Sequence, residues 1–317
     1  MVVAMRWGRR PDPDLDLSVQ VGSVRLPNPV MTASGTAGHG AELGAYVDLS
    51  RLGAVVVKSL LADPWPGNPP LRVHHTPAGM INSVGLQGPG VAAWLADDLP
   101  GLVAAGARVV VSIWGRTVEE YRAAAEAVAE AGDQVVAVEV NLSCPNLSGH
   151  GIFAQSATAS AEVIAATAAC GRPRWAKLTA LVTDLPEVAG AVLDAGADAI
   201  TVANTVPGMV IDLESRRPIL GGRPGGVSGP AVHPIAVKAV YDCRAAYPDA
   251  AIVGVGGVST GSDAVEMLMA GADAVQVGTA TFAAPRSVAT VLSQLDRWCR
   301  SHGVTRVADL TGAAHDR

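Results

Sequence analysis

The hexapeptide Asn141-Leu142-Ser143-Cys144-Pro145-Asn146 carries the residue types best suited to chemistry in this chain of 317 residues. It follows the apolar run 135–140, which predicts a buried parallel strand, so its polar groups stand where a strand ends and a loop begins. The Asn141 amide can both donate to and accept from a flat heterocycle. The Cys144 thiol can act as a base or a nucleophile if its pKa is tuned. Because this thiol lies among polar residues, we interpret it as functional rather than as a buried core cysteine.

Polar residues also follow the other predicted strands. They are Ser34-Gly35, Lys58-Ser59, Ser112, Lys177, Asn204-Thr205, Gly256-Gly257 and Gly278-Thr279. In a barrel of parallel strands, all of them would meet at the mouth formed by the carboxyl ends of the strands. A lysine within an apolar strand is costly to bury unless it meets an anion or a polar ligand, which makes Lys177 the most informative of the set. The alternative is a lysine that reaches water from the strand end.

Glycines follow the last two predicted strands, at Gly256-Gly257 and Gly278-Thr279. Glycine lets a backbone approach a ligand closely, and free amides at the start of a helix favour phosphate, so these positions predict a phosphate site. The alternative is that they only form tight turns. The segment 79–88 could likewise present amides to an anionic ligand, or form a plain rim loop.

The elements that must position these residues alternate along the chain. The predicted strands are 29–33, 54–57, 108–113, 135–140, 175–178, 199–203, 251–255 and 274–277, and the predicted helices are 41–51, 117–131, 158–170, 184–195, 232–246, 261–270 and 287–300. Eight strands alternating with helices predict an α/β fold, a (β/α)8 TIM barrel. An open doubly wound sheet is the competitor, although no Gly-x-Gly-x-x-Gly motif opens a helix after the first strand.

Three features lie outside this alternation. Residues 17–26 predict an N-terminal hairpin that turns at Gly22-Ser23. Long connections, 58–107 and 204–250, predict active-site insertions after strands 2 and 6. We predict a single domain over residues 1–317, with 1–14 disordered.

Composition excludes several classes of protein. A net charge of −6 without a basic block, together with 4% aromatic residues, argues against a nucleic-acid partner. No signal peptide and no run of 18 apolar residues is found, so no membrane span is expected. Four scattered cysteines and histidines without metal-ligand spacing predict no disulfide and no metal site, and indicate a cytoplasmic protein.

Ten motifs in a fixed order resemble those of a known enzyme family. They are Ala33-Ser34-Gly35, Val57-Lys58-Ser59, Gly67-Asn68-Pro69, 80–87, 141–146, Lys177-Leu178, Ala203-Asn204-Thr205, 225–230, 254–258 and Val277-Gly278-Thr279. The family is that of the class-1 dihydroorotate dehydrogenases, and the resemblance covers residues from about 17 to 312. Segments 212–213, 217–220 and 226–230 look most like the B-type catalytic subunit.

The resemblance implies an FMN enzyme that oxidises (S)-dihydroorotate to orotate in pyrimidine synthesis. It makes Cys144 the catalytic base. It assigns the substrate to Lys58, Asn82, Ser83, Val84, Gly85, Leu86, Asn141, Asn204 and Thr205. It assigns FMN to Ser34, Lys58, Ser59, Ser112, Asn141, Lys177, Ala203, Gly229, Gly256, Gly257, Gly278 and Thr279.

The resemblance also implies partners. A B-type enzyme passes electrons to NAD+ through a separate subunit with FAD and an iron–sulfur cluster, and this chain lacks the cysteine clusters such a relay needs. A homodimer is expected. The membrane-bound quinone type is disfavoured, because it has N-terminal membrane helices and a serine base.

Four departures from the B-type pattern leave the exact activity open. Ser112 and the segment 81–83 lean toward the A-type, which reduces fumarate without a partner. Trp114 replaces a small residue and could reshape the flavin rim, and Thr179-Ala180 stands where proline and asparagine are frequent. A related flavin-dependent dihydropyrimidine oxidoreductase is a further candidate, and so is an inactive subunit with a damaged site. Retention of Cys144, Lys58 and Lys177 argues against the inactive subunit.

Overall fold

The computed structural model describes residues 15–143 and 152–315, which form sixteen strands. In chain order these are β1 (Val19–Val21), β2 (Val24–Leu26), β3 (Val30–Thr32), β4 (Val55–Val56), β5 (Val73–Thr76), β6 (Gly79–Asn82), β7 (Val109–Ile113), β8 (Val135–Asn141), β9 (Arg174–Lys177), β10 (Ala199–Val202), β11 (Val206–Gly208), β12 (Ile211–Asp212), β13 (Arg217–Pro218), β14 (Gly225–Ser228), β15 (Ile252–Val255) and β16 (Ala274–Val277). The α-helices are α1 (Val91–Ala93), α2 (Leu99–Ala104), α3 (Val118–Val128), α4 (Ala157–Ala166), α5 (Leu185–Asp194), α6 (His233–Ala246), α7 (Gly261–Met269), α8 (Ala280–Ala283) and α9 (Ser287–Ser301).

Eight parallel strands form the barrel, in the order β3-β16-β15-β10-β9-β8-β7-β4. The seam between the two end strands is bridged by the backbone, because Gly53 N donates to Val30 O at 2.8 Å and Thr32 N donates to Ala54 O at 3.3 Å. Valine, isoleucine and alanine fill the strands, which are buried on both sides as parallel strands require. The predicted TIM barrel is confirmed, and the competing open doubly wound sheet is wrong.

A side chain completes this seam where the backbone ladder ends. The Thr32 hydroxyl donates to Val56 O at 3.2 Å and accepts from Val56 N at 2.8 Å, and Thr32 is fully buried. We expect Thr32→Val to lower the free energy of unfolding by about 1–3 kcal/mol, since it leaves a buried N–H and a buried C=O unpaired. Thr201 is the control: it is equally buried in β10, but its hydroxyl has no partner among the described residues. Thr201→Val should be neutral or stabilising in the same urea denaturation, and an equal loss for both variants would contradict the role of Thr32.

Six of the seven predicted helices are present, whereas α1 and α2 in the first insertion and the short α8 were not predicted. Thr117 caps α3, because its hydroxyl accepts from Glu120 N at 3.2 Å. The predicted helix 41–51 is wrong: two short 3-10 segments, Glu42–Ala45 and Leu49–Arg51, occupy this stretch. The Asp48 carboxylate accepts from Ser50 N at 3.1 Å and so starts a new turn in the middle of the predicted helix.

The two insertions build a second sheet at the mouth of the barrel. The first insertion supplies β5 and β6, the second supplies β11 and β14, and together they form an antiparallel sheet in the order β11-β14-β6-β5. The insertions after strands 2 and 6 and the N-terminal hairpin, β1 with β2, are as predicted. In the described part of the chain, no helix has both the length and the apolarity to cross a bilayer. Single-domain organisation stays a prediction, and residues 1–14 lie outside the description.

Candidate active site

A cavity of about 1450 Å³ opens between the carboxyl ends of the barrel strands and the antiparallel sheet β11-β14-β6-β5, called the rim sheet below. It brings together most of the residues that the sequence singles out, although their roles stay predictions. These are Ser34, Lys58, Ser59, Asn82, Ser83, Val84, Gly85, Leu86, Asn141, Lys177, Ala203, Asn204, Thr205, Gly229, Gly256, Gly257, Gly278 and Thr279. Ser112 lies one layer behind the wall, fully buried, with its hydroxyl oxygen 2.9 Å from that of Ser59. Cys144 lies outside the described residues.

A chain of hydrogen bonds links residues in or directly after five barrel strands across this cavity. Asn204 Nδ2 donates to Asn141 Oδ1 at 3.0 Å, and Asn141 Nδ2 donates to Ser59 Oγ at 3.4 Å. The Ser59 hydroxyl in turn contacts the hydroxyls of Ser112, at 2.9 Å, and Ser34, at 3.3 Å. Each member fixes the orientation of the next, so the amides present a defined pattern of donors and acceptors to a planar ligand.

The backbone of Asn141 is fixed from below. The Tyr121 hydroxyl on α3 donates to Asn141 O at 2.6 Å, and the Tyr121 side chain is completely buried. The end of β8, which carries the Asn141 amide, is therefore held by the helix that precedes it.

The floor of the cavity holds a buried ion pair. Lys177 Nζ donates to Glu139 Oε1 at 3.1 Å, and Gln276 Nε2 donates to Glu139 Oε2 at 2.7 Å. Lys177 is 6% exposed, while Glu139 and Gln276 are fully buried. Sequence reasoning singled out Lys177 but missed Glu139 and Gln276, although a charged or amide residue inside an apolar strand was the available signal. The anion that the buried Lys177 requires is thus the Glu139 carboxylate of the protein itself. Lys177 is paired with this carboxylate and also lines the cavity.

Glycines line the opposite end of the cavity, after the last two barrel strands. Gly257 has φ +69° and Gly229 has φ +99°, and a Cβ on Gly257 would lie 2.6 Å from His233 Cβ and 2.9 Å from Gly229 O. His233 Nδ1 lies 2.8 Å from Gly256 O, so Nδ1 carries the proton and fixes this turn. A backbone without side chains, next to the start of the segment that leads into α6, fits a phosphate group.

The segment 83–86, which belongs to the first insertion, forms part of the cavity wall. Asn68 Nδ2 donates to Ser83 Oγ at 2.9 Å, and Asn68 N donates to Val84 O at 3.0 Å. Asn82 Nδ2 reaches the second insertion and donates to Gly226 O at 3.2 Å. The predicted anion-facing loop is therefore anchored on both insertions rather than standing free at the rim.

Two departures seen in the sequence fall in different places. Thr179 is buried and lines the cavity. Trp114 is not among the lining residues; it is 2% exposed and packs against Trp65.

His39, given no role from its spacing, also lines the cavity; burial lowers its pKa, so its imidazole is neutral at neutral pH. Among the described residues, no three His, Cys, Asp or Glu side chains converge as metal ligands would.

Fold and site together define an α/β barrel with a polar cavity at the carboxyl ends of its strands, which is where barrel enzymes hold their active sites. A family model described as dihydroorotate dehydrogenase matches residues 16–298. Relatives named dihydroorotate dehydrogenase B (NAD(+)), catalytic subunit, occur in Pelobacter propionicus, 44% identical over 94% of this chain and 98% of the relative, and in Desulforudis audaxviator, 45% identical over 94% and 97%. One from Alkaliphilus metalliredigens is 43% identical over 94% and 99%. This chain belongs to the dihydroorotate dehydrogenase family, as its motifs predict.

Proposed function

We propose that this chain oxidises (S)-dihydroorotate to orotate in pyrimidine biosynthesis, with FMN as its cofactor. The convergence of Lys58, Asn141 and Asn204 on one cavity above the buried Lys177 carries this proposal. The relatives bear the name of this activity, and the residues that the chemistry requires are present in this chain.

The buried ion pair of Lys177 and the glycines after the last two barrel strands suit the two ends of FMN. Lys177 would face the polar edge of the flavin ring, and the amides around Gly257 and Gly278 would hold its phosphate. When bound, FMN accepts a hydride and carries the electrons away. Because Glu139 and Gln276 fix Lys177, its ammonium needs no rearrangement to meet the ring.

The remaining polar groups suit dihydroorotate. Lys58 would pair with the substrate carboxylate, and the amides of Asn82, Asn141 and Asn204 would bond the amide and imide edges of the ring. Cys144, three residues after Asn141, would remove the proton beside the ring carbonyl. The hydrogen-bonded chain from Asn204 to Ser34 keeps this pattern rigid, which favours one orientation of the ring.

The relatives are named NAD(+)-linked catalytic subunits, which supports transfer of electrons to NAD+ through a partner subunit that carries FAD and an iron–sulfur cluster. We also expect a homodimer, and a place in the cytoplasm stays a prediction from cysteine usage. Fumarate is the alternative acceptor. The residue type at Ser112, which leans toward the A-type, supports this alternative, and Ser112 lies directly behind the cavity wall in contact with Ser59.

We expect one FMN per chain in the purified protein. Heat release followed by chromatography identifies the flavin, and dihydroorotate added without oxygen should bleach it. FAD, or folded protein without any flavin, would refute the cofactor assignment. A flavin that dihydroorotate does not reduce would refute the reaction.

The isolated chain should reduce an artificial dye with dihydroorotate but should not reduce NAD+, because its sequence has no cysteine cluster to relay electrons from FMN toward a nicotinamide. Adding an iron–sulfur flavoprotein subunit should restore NAD+ reduction. Rapid NAD+ reduction by the chain alone would contradict the partner requirement, and efficient fumarate reduction would favour the A-type activity.

A further inference from the structure

Trp65 is hydrogen-bonded to both ends of the turn at residues 85–88, which ends the segment 83–86. Trp65 N donates to Gly88 O at 2.9 Å and Gly88 N donates to Trp65 O at 3.0 Å, which makes a local antiparallel bridge. The Trp65 indole N–H then reaches forward and donates to Gly85 O at 3.0 Å. One residue therefore holds both ends of the turn.

The turn needs such a restraint. Gly85 has φ +74° and Leu86 has φ +61°, and a left-handed conformation is unfavourable for a leucine. A residue persists in this region only where its surroundings hold it there. Both Gly85 and Leu86 line the cavity, so the geometry of the turn is also the geometry of the cavity wall.

Trp65 is itself fixed by two side chains that follow β7. The Trp114 ring meets it edge to face, with centroids 5.8 Å apart and an interplanar angle of 74°. The guanidinium carbon of Arg116 lies 4.6 Å from the centroid of the Trp65 ring, and an ion pair with Glu120 holds this arginine. Aromatic pairs and cation–π contacts of this kind restrain the ring that they enclose.

We propose that Trp65 and Trp114 are positioning residues that set the affinity of this enzyme for its pyrimidine. Trp114 fixes Trp65, and Trp65 fixes the turn at Gly85 and Leu86, which the substrate contacts. This inference rests on the proposed function, because it takes the segment 83–86 as part of the dihydroorotate site. Neither tryptophan lines the cavity, so both act through the turn rather than on the ligand.

The test uses the flavin-loaded protein and two variants. Trp65→Phe keeps an aromatic ring but removes the hydrogen bond to Gly85 O, and Trp114→Ala removes the ring that supports Trp65. Orotate binding is followed by its perturbation of the flavin spectrum. We expect the Kd for orotate to rise about 3- to 10-fold in Trp65→Phe and about tenfold or more in Trp114→Ala. Flavin content should be unchanged, and KM should rise much more than kcat falls.

Trp298→Ala is the matched control, because Trp298 is also partly buried and stacks on a neighbour, His302, at 3.9 Å, but lies on α9 away from the cavity lining. It should keep the wild-type Kd for orotate. A wild-type Kd in Trp65→Phe with full flavin content would overturn the inference, even if Trp114→Ala does not fold. An equal rise in the Trp298 control would overturn it too, since the effect would then be general. Wild-type protein that holds flavin but binds no orotate would overturn the proposed function, and the inference with it.

Discussion

Lys177→Met is expected to lower the free energy of unfolding by about 3–5 kcal/mol, because it leaves the Glu139 carboxylate buried without its cation. Glu139 is fully buried, and its remaining described partner is the amide of Gln276 at 2.7 Å, which cannot balance a charge. The same variant should lose flavin, since the ammonium proposed to meet the ring is gone. Urea denaturation and the flavin-to-protein absorbance ratio measure the two effects.

A second change in the same chain separates charge from packing. Adding Glu139→Gln to Lys177→Met removes the unpaired charge with little change in volume, so most of the lost stability should return while the flavin stays absent. Lys238→Met is the control: Lys238 pairs with Asp242 on the exposed face of α6, and its loss should change stability by about 0.5 kcal/mol or less. If Lys177→Met unfolds at the wild-type urea concentration, the buried pair does not stabilise the barrel.

Cys144→Ala is expected to lower turnover by about a hundredfold or more, the usual scale for a lost general base. The variant should still hold FMN and bind orotate, because neither requires the thiol. Cys144→Ser should keep a little activity that improves with rising pH, since a hydroxyl is a far weaker base. Flavin bleaching by dihydroorotate without oxygen gives the rate of this step. If Cys144→Ala bleaches at the wild-type rate, another group is the base.

The other cysteines supply an internal control for this assignment. Burial raises the pKa of Cys243 to about 12 and also raises those of Cys170 and Cys299, so these three remain unreactive thiols. Alkylation at about pH 8 should therefore inactivate the enzyme in step with labelling of Cys144, and orotate should protect it. Inactivation that follows labelling of a buried cysteine instead would contradict the assignment.

The barrel could be predicted because each of its strands is a local apolar run, and most of the candidate site residues lie at the end of such a run or directly after it. The rim sheet could not, since β6 and β14 show no alternation that indicates pairing across so long a separation. Glu139 was missed although it is a charged residue in an apolar run, because candidate residues were sought where strands end and Glu139 lies two residues before the end of β8. The support of the cavity wall by Trp65 depends on three-dimensional contacts that leave no periodic signal in the sequence.

The pairing of β6 with β14 also sets the order in which the protein can acquire activity during synthesis. The bond from Asn82 to Gly226 spans 144 residues, so the cavity wall cannot be completed until the second insertion has left the ribosome. The pairing of the first barrel strand is completed later still, because β3 pairs with β16, in which Val275 lies opposite Val30. Closing loops of this length is entropically slow, and an unpaired strand edge stays open to wrong partners in the meantime. The cavity is therefore incomplete until nearly all of the chain is made, and until then the edge of β3 that pairs with β16 has no partner strand.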